Sequence, residues 1–492
     1  MRVYRPTHSV PAVSKNPMRV YLTTIGCRLN EAELESWAND FQQRGHTLET
    51  DPCNSDLVVI NTCAVTAEAV RKSRKILARA RRSNPDARLV VSGCAASLPA
   101  TLPLEGIDLL IPNPRKEQLV SECEQHFSHH PAPPLPPHNG LDHRSDQYPL
   151  NKAQFAPLIP LESISYGEML AVRGQAGRND DQGPPNTPNA SQTLASRGRQ
   201  RAFIKIQDGC RYQCTFCIVT TARGAERSRS PAEIIAEVRQ HHRAGVQEIT
   251  LTGVQLGGYG RDQGSNLSQL LTALLQQSAI PRIRLGALEP WDLPPDLWER
   301  FQDPRLLPHL HLPLQSGSDT ILRRMARRCK VADFTALTEQ ARRAIPNLNI
   351  TTDIIVGFPG EQQAQWQETL HHVKNIGFGD LHIFAYSPRQ GTRAATFPDQ
   401  IPKNVIQQRS AELQQLAQEL KYTELQRQIG SQQAVLLEQP DPRYAPYHNH
   451  GYTPNYHRIR LRDPDQTLAV GTIRTVRVTA VAPDGEGLWG EG

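Results

Sequence analysis

The chain has 492 residues, of which 38% are hydrophobic and 21% charged, with nine cysteines and a formal net charge of +6. No apolar run reaches the roughly 18 residues of a membrane-spanning helix, and residues 1–15 lack the hydrophobic stretch of a signal peptide. Nine cysteines are too few for a disulfide scaffold at this length, so a reducing, cytoplasmic setting is expected, where clustered cysteines mean metal or catalysis. The mild positive charge permits nucleic-acid binding without demanding it.

Residues 1–17 read as an extension. From 18 to 125, strand patterns at 19–24, 57–61, 88–92 and 107–111 alternate with helical patterns such as 31–44 and 66–82. This βαβ succession predicts a doubly wound parallel sheet. Residues 126–199 are rich in Pro, Gly, Asn, Gln and Ser and read as a linker, with a more apolar patch at 156–172 that could dock locally.

Alternation resumes from 200 to 429. Strands are expected at 202–206, 248–252, 282–288, 309–314, 349–356 and 381–386. Helices fall between them at 231–244, 266–278, 319–328, 331–344 and 362–376, and a polar helix follows at 405–429. Six such units predict a partial TIM-type (β/α)6 barrel. Residues 430–492 carry short strand patterns at 434–438, 456–462 and 472–481, which predict a small antiparallel β-barrel.

The strongest chemical signal is Cys210, Cys214 and Cys217, spaced C-x3-C-x2-C directly after the first barrel strand. A structural zinc ion needs four protein ligands. Only three sit close here, so a cubane iron–sulfur cluster with one open iron fits better. Zinc completed by His241 or His242 is the alternative. A second set is Cys27, Cys63 and Cys94, each at the carboxyl end of one of the first three strands. That sheet edge is where open α/β sheets bind ligands, so a second three-cysteine cluster is predicted. Cys53, Cys123 and Cys329 show no partner pattern and read as packing residues or plain thiols.

The C-x3-C-x2-C run with Phe216 resembles the radical S-adenosylmethionine enzymes. Residues 206–224, followed by Ser228, Arg229 and Ser230, resemble the methylthiotransferases of that superfamily. So do Cys27, Cys63 and Cys94 beside Asn30 and Asn61. Residues 451–456 resemble part of that family's small RNA-binding TRAM barrel. Stretches 251–260, 288–293, 307–317 and 353–361 are most similar to the branch acting on N6-threonylcarbamoyladenosine next to the tRNA anticodon. Sister branches methylthiolate isopentenyladenosine in tRNA or an aspartate of a ribosomal protein. Gly286 and Ala287 stand where the family often carries two serines.

The resemblance implies two [4Fe-4S] clusters, each on three cysteines, and S-adenosylmethionine. The cluster on Cys210, Cys214 and Cys217 would cleave S-adenosylmethionine to a 5′-deoxyadenosyl radical that takes hydrogen from adenine C2. The cluster on Cys27, Cys63 and Cys94 would deliver sulfur, and a second S-adenosylmethionine the methyl group. The resemblance further implies cofactor contacts around Phe216, Thr252, Gly253, Gln315, Ser316 and Gly357, with turn or packing roles as the alternative for the last five. In the C-terminal barrel, Tyr452 and Tyr456 could stack on bases and Arg458, Arg460, Arg474 and Arg477 could meet phosphates. Ordinary strand polarity is the alternative there. The implied partners are tRNA, a flavodoxin- or ferredoxin-like electron donor and a sulfur donor, with no membrane and a monomeric chain. A reading from another class is a nonenzymatic metal-cluster RNA-binding protein.

Overall fold

The computed structural model describes residues 14, 16–98, 101–102, 105–128, 164–165, 200–438, 448–462 and 468–492. Contacts divide the chain into two compact units, one of residues 1–64 with 68–171, the other of 65–67 with 172–492.

The first unit holds parallel strands β1 (Arg19–Thr24), β2 (Thr47–Glu49), β3 (Leu57–Thr62), β4 (Arg88–Gly93) and β5 (Leu109–Pro112), in the order β2-β1-β3-β4-β5. Helices Arg28–Gln43, Ala67–Ser83 and Leu119–Ser128 connect or follow them. All six residues of β3 are buried, as expected of a central parallel strand covered on both faces. Val20, Leu22, Leu57, Val59 and Val90 pack against Leu34, Trp37 and Phe41 of the first helix.

Two departures concern the sheet's edge. β2 is three residues long and carries too little pattern to be read from sequence. It covers only Arg19–Tyr21 of β1. Where it stops, β6 (Ile164–Ser165) pairs antiparallel with Thr23 and Thr24. A piece of the expected linker therefore belongs to the sheet, and the helix Leu119–Ser128 runs past the expected boundary at 125. The rest of 129–199, with the remainder of the patch at 156–172, and residues 1–13 lie outside the described residues.

In the second unit, β7 (Arg201–Lys205) leads into a short hairpin of β8 (Gln207–Asp208) and β9 (Arg227–Ser228). The parallel strands that follow are β10 (Glu248–Thr252), β11 (Arg282–Leu285), β12 (His309–His311), β13 (Asn349–Val356) and β14 (Asp380–Ala385). They form two three-stranded sheets, β11-β10-β7 and β12-β13-β14. Single parallel bridges, Ile283 to Leu306 and Ala287 to His311, link the two. The result is the six-stranded partial barrel. Along β13, Ile350, Ile354 and Val356 join the hydrophobic core, while Asn349, Thr351 and Asp353 make polar contacts, the last two to neighbouring strands, the period-two pattern of a barrel wall. The helix Pro231–Arg243 begins with a capping box between Ser230 and Glu233, with proline at its first position.

After the helix Lys403–Gln426 comes a closed barrel of β15 (Gln432–Glu438), β16 (His448–Tyr452), β17 (Arg458–Arg462), β18 (Ile473–Val481) and β19 (Leu488–Glu491). It was expected to be antiparallel throughout. Four seams are antiparallel, but β17 and β19 pair parallel. Five strands cannot alternate direction around a closed ring, so one seam must be parallel. The strand expected from 456 begins at Arg458, because Tyr456 sits in a left-handed turn with φ of 70°.

That turn docks at the amino end of the six-stranded barrel. Arg282 donates to the carbonyls of Ala434 (2.6 Å) and Tyr452 (3.1 Å), and Arg284 to that of Pro454 (3.0 Å). Both also bind the fully buried Glu248, at 2.7 and 3.0 Å. Asn349 donates to the carbonyl of Asn455 at 2.9 Å. Burial alone would raise the Glu248 carboxyl, but Arg284, Arg282 and Arg201 hold it down to about 2.

Candidate active site

Cys210, Cys214 and Cys217 occupy the loop after β8, at the carboxyl end of the barrel strands. Gly209 N–H donates to Asp208 (2.8 Å), and Cys210 N–H to the Gly224 carbonyl (3.1 Å). Asp208 is itself paired with the buried Arg223 at 3.0 Å. Backbone N–H groups point at two of the sulfurs: Tyr212 to Cys210 and Val219 to Cys217, each at 3.4 Å. Such donors stabilise thiolates that ligate iron. Burial pushes the Cys210 thiol up to about 11 and Cys217 up to about 12.

The spread of the sulfurs tests which metal group fits. Four sulfurs around one zinc ion at about 2.3 Å stand about 3.8 Å apart. Among the described residues, the trio whose ligand atoms all lie within 4.8 Å of one another is His311, Asp353 and His382; neither cysteine triad qualifies. Neither triad is therefore preset around a single ion. His241, offered as a zinc ligand, sits instead on the helix Pro231–Arg243, 3.8 Å from Glu237.

Two residues that the sequence did not single out hold this loop. Gln207 accepts from Val254 (3.0 Å) and Gln255 (2.9 Å), and donates to the carbonyls of Asp208 and Gly209. It thereby ties the cysteine loop to the turn after Thr252 and Gly253. Asp292 is buried and accepts from Tyr212 (2.5 Å), Arg211 (2.9 Å), Arg261 (2.7 Å) and Gln255. Its partners lie up to 81 residues away, so no local spacing signals it.

The expected cofactor contacts divide. A Cβ on Gly253 would sit 2.9 Å from Leu256 and 3.0 Å from Gln207, so the close approach needs glycine. Gln315 is nearly buried at the end of the fourth barrel strand, with a strained φ of 76°. Ser316 is fully buried against Thr369 of the helix Gln363–Ile376, at 3.3 Å. Its side chain takes the packing role given as the alternative. Gly357 has φ of 77° and a Cβ there would lie 2.3 Å from Ile406. Its N–H donates to Glu361 at 2.8 Å. Phe216 packs in an apolar cluster with Ile355, Phe358, Phe384 and Tyr386.

The barrel lumen carries a polar group the sequence reading missed. Asp353 lies 3.2 Å from His311 Nε2 and 3.1 Å from His382 Nδ1, and His311 Nδ1 meets Thr351 at 2.9 Å. Burial opposes ionisation here, but the histidines hold the Asp353 carboxyl well below the usual range. Asp353 in turn lifts His382 above its ordinary value despite burial. The three come from three strands, which only the fold brings together.

In the first unit, Cys27, Cys63 and Cys94 follow the carboxyl ends of β1, β3 and β4. Cys94 N–H donates to the Thr62 carbonyl (3.0 Å) and Ile25 N–H to that of Asn61 (2.9 Å), fixing the three strand ends together. A Cβ on Gly26 would lie 2.9 Å from Cys63 Cβ, so the first two cysteine segments touch. Beneath them, Asn30 donates to the carbonyls of Ile25 (2.9 Å) and Thr62 (3.2 Å). Asn61 donates to Glu33 at 3.0 Å, and Glu33 pairs with the buried Lys116.

The expected RNA contacts also divide. Tyr452 and Tyr456 stack on each other with centroids 5.0 Å apart. Arg201 lies 4.4 Å over Tyr452 and Arg284 4.3 Å over Tyr456. Both rings thus also pack within the protein, and both stay half-buried. Arg460 is buried and paired with Asp484, and Arg458 is half-buried. Arg474 and Arg477 are exposed on β18.

A parallel partial barrel with a three-cysteine loop at its carboxyl end defines the radical S-adenosylmethionine class. Residues 204–373 match the model of the Radical SAM superfamily, and residues 19–104 that described as Uncharacterized protein family UPF0004. The fold is similar to the solved structure of the radical S-adenosylmethionine methyltransferase TsrM from Kitasatospora setae with cobalamin and a [4Fe-4S] cluster bound. The TM-score is 0.51 at 14% identity, covering 77% of this chain and 74% of that one. The threonylcarbamoyladenosine tRNA methylthiotransferase MtaB of Bacillus subtilis is 32% identical over 92% of each chain. The tRNA-2-methylthio-N(6)-dimethylallyladenosine synthase of Streptomyces coelicolor is 31% identical over 94% of this chain and 85% of that one. The chain belongs to the radical S-adenosylmethionine tRNA methylthiotransferase family, a family of transferases that use S-adenosylmethionine and two [4Fe-4S] clusters. Membership sets aside the nonenzymatic reading. No helix among the described residues is long and apolar enough to cross a membrane.

Proposed function

We propose that this protein converts N6-threonylcarbamoyladenosine next to the tRNA anticodon to its 2-methylthio derivative. The observation that carries the reading is the joint presence of both cysteine triads at strand carboxyl ends in a chain similar along nearly its whole length to the Bacillus subtilis enzyme of that name. Cys210, Cys214 and Cys217 would hold one cluster, and Cys27, Cys63 and Cys94 the other. When bound, these groups and S-adenosylmethionine supply one-electron radical chemistry and sulfur, which adenine C2–H requires because it is neither acidic nor electrophilic. The chain's own residues position and shield. Gln207 and Asp292 lock the cysteine loop to the next barrel loop. Phe216 and its apolar neighbours exclude water from one wall. The exposed Arg474 and Arg477 offer phosphate contacts.

The reading takes tRNA as substrate, with a flavodoxin- or ferredoxin-like reductant and a sulfur donor, for a monomer working in the cytoplasm. Mass spectrometry of tRNA nucleosides from a deletion strain tests it. Loss of the 2-methylthio derivative of threonylcarbamoyladenosine is expected; its persistence would discard the assignment. Loss of methylthiolated isopentenyladenosine instead would favour the dimethylallyl branch, whose Streptomyces coelicolor member is nearly as similar. Loss of neither, with an unmodified ribosomal aspartate, would favour the protein substrate. Cys214→Ala is expected to abolish S-adenosylmethionine cleavage, whereas Cys63→Ala spares cleavage and abolishes sulfur insertion. Methylthiolated product from Cys63→Ala would remove the role given to the second triad.

A further inference from the structure

Three neighbouring strands of the six-stranded barrel each bring one possible metal ligand to a single point. His311 ends β12, Asp353 lies on β13 and His382 on β14. The register sets Asp353 beside His382, and His311 beside Thr351, two residues before Asp353 on the same face of β13. One carboxylate oxygen, Asp353 Oδ1, stands 3.2 Å from His311 Nε2 and 3.1 Å from His382 Nδ1. Among the described residues, only this trio has its ligand atoms all within 4.8 Å of one another. These spacings match the edges of a coordination polyhedron. Ligand atoms about 2.0–2.1 Å from an ion stand about 2.9 Å apart at right angles and about 3.3 Å apart at the tetrahedral angle. The surroundings of His311 fit as well. Its other ring nitrogen, Nδ1, meets the Thr351 hydroxyl at 2.9 Å. A metal on Nε2 leaves the ring proton on Nδ1, and Thr351 accepts it, the kind of outer bond that orients metal-binding histidines. All three residues are half-buried rather than sealed in the core.

We propose that His311, Asp353 and His382 form a binding site for a divalent transition-metal ion of the zinc class, using neither cysteine triad. Two imidazoles and one carboxylate suit zinc, iron(II) or nickel. Calcium and magnesium favour oxygen ligands throughout and are not the expected occupants. Three protein ligands leave a fourth position to water or to an oxygen of a bound molecule, as in catalytic rather than structural zinc sites. The inference does not depend on what the cysteines hold. A trio joined only by hydrogen bonds is the competing account, and it predicts no bound ion.

The test uses the full-length chain, reconstituted anaerobically with iron and sulfide, then equilibrated with zinc and desalted. X-ray absorption at the zinc edge reads the ligands. About one zinc per chain is expected, in a shell of nitrogen and oxygen near 2.0–2.1 Å with imidazole scattering beyond it, and without sulfur near 2.3 Å. Asp353→Asn and His311→Gln are expected to lose that ion at unchanged iron content. Thr351→Val is expected to bind it at least about tenfold more weakly. No zinc in the parent, or a shell of sulfur alone, overturns the proposal. So does zinc held equally well by Asp353→Asn, which would mark an adventitious site on other histidines. Should the ligand variants fold poorly by circular dichroism, Thr351→Val decides: weaker zinc binding supports the site, and unchanged affinity overturns it.

Discussion

Gly209 has φ of 73°, and a Cβ there would fall 1.9 Å from the Ala225 carbonyl oxygen. Gly93 has φ of 94° and would meet the Thr62 oxygen at 2.2 Å; Gly26 would press on Cys63. Each of these glycines immediately precedes a cysteine of one of the two triads. The backbone turns sharply to face a sulfur toward its site, and glycine alone turns there without strain. Gly209→Ala is expected to destabilise the fold by roughly 2–4 kcal/mol, combining the left-handed penalty with a backbone collision. It should also lower iron retained per chain. Urea denaturation and iron assay check both. At this scale the sequence is legible where chemistry is local. The cysteine spacings and their preceding glycines stand in plain view. Asp292 and the His311–Asp353–His382 trio are not, because each acts on partners tens of residues away. The contacts of Tyr452 and Tyr456 with Arg201 and Arg284 are equally invisible in the sequence, because an aromatic pair in a basic stretch does not show which arginines it faces.

Among elements, long strands with buried β-branched runs were readable, and several short ones were not. β3 and β13 declare themselves by composition, whereas β2, β6, β16 and β19 are defined by the neighbour they pair with. The buried ends of β10 and β11 show what such pairing can hide. Glu248, flanked by Arg282 and Arg284, sits with its carboxyl held at about 2, below its ordinary 4.5. The folded chain therefore binds this proton less readily than the unfolded chain. The resulting stability is full above about pH 4.5 and is lost as pH falls toward 2. Glu248→Gln leaves two buried arginines unpaired, and a loss of about 3–5 kcal/mol is expected at pH 7. Its deficit relative to the parent should shrink as pH falls through that window. Urea melts at neutral and acid pH measure the difference; a deficit that does not change with pH would refute the charge-based account.

On the scale of the whole molecule, the C-terminal barrel is not appended to the six-stranded barrel but seated in it. Arg282, Arg284 and Asn349 spend their donors on backbone carbonyls of residues 434–455. Trp366 reports on the six-stranded barrel and Trp489 on the C-terminal one. Variants retaining one or the other tryptophan are expected to give coincident thermal melts, the mark of a single cooperative transition. Curves separated by more than about 5 °C would show two independent bodies. The order of parallel sheet, partial barrel and small barrel was readable from periodicity, but this seat was not, since it depends on one tight turn between β16 and β17. That turn also bears on exchange between relatives. An RNA-binding cassette joined by a tether could be traded freely. Here the turn and its receiving pocket of Arg201, Glu248, Arg282 and Arg284 form a lock and its key. A chimera that imports a foreign C-terminal barrel inherits a keyless lock, three arginines around one carboxylate, unless the pocket is transplanted with it.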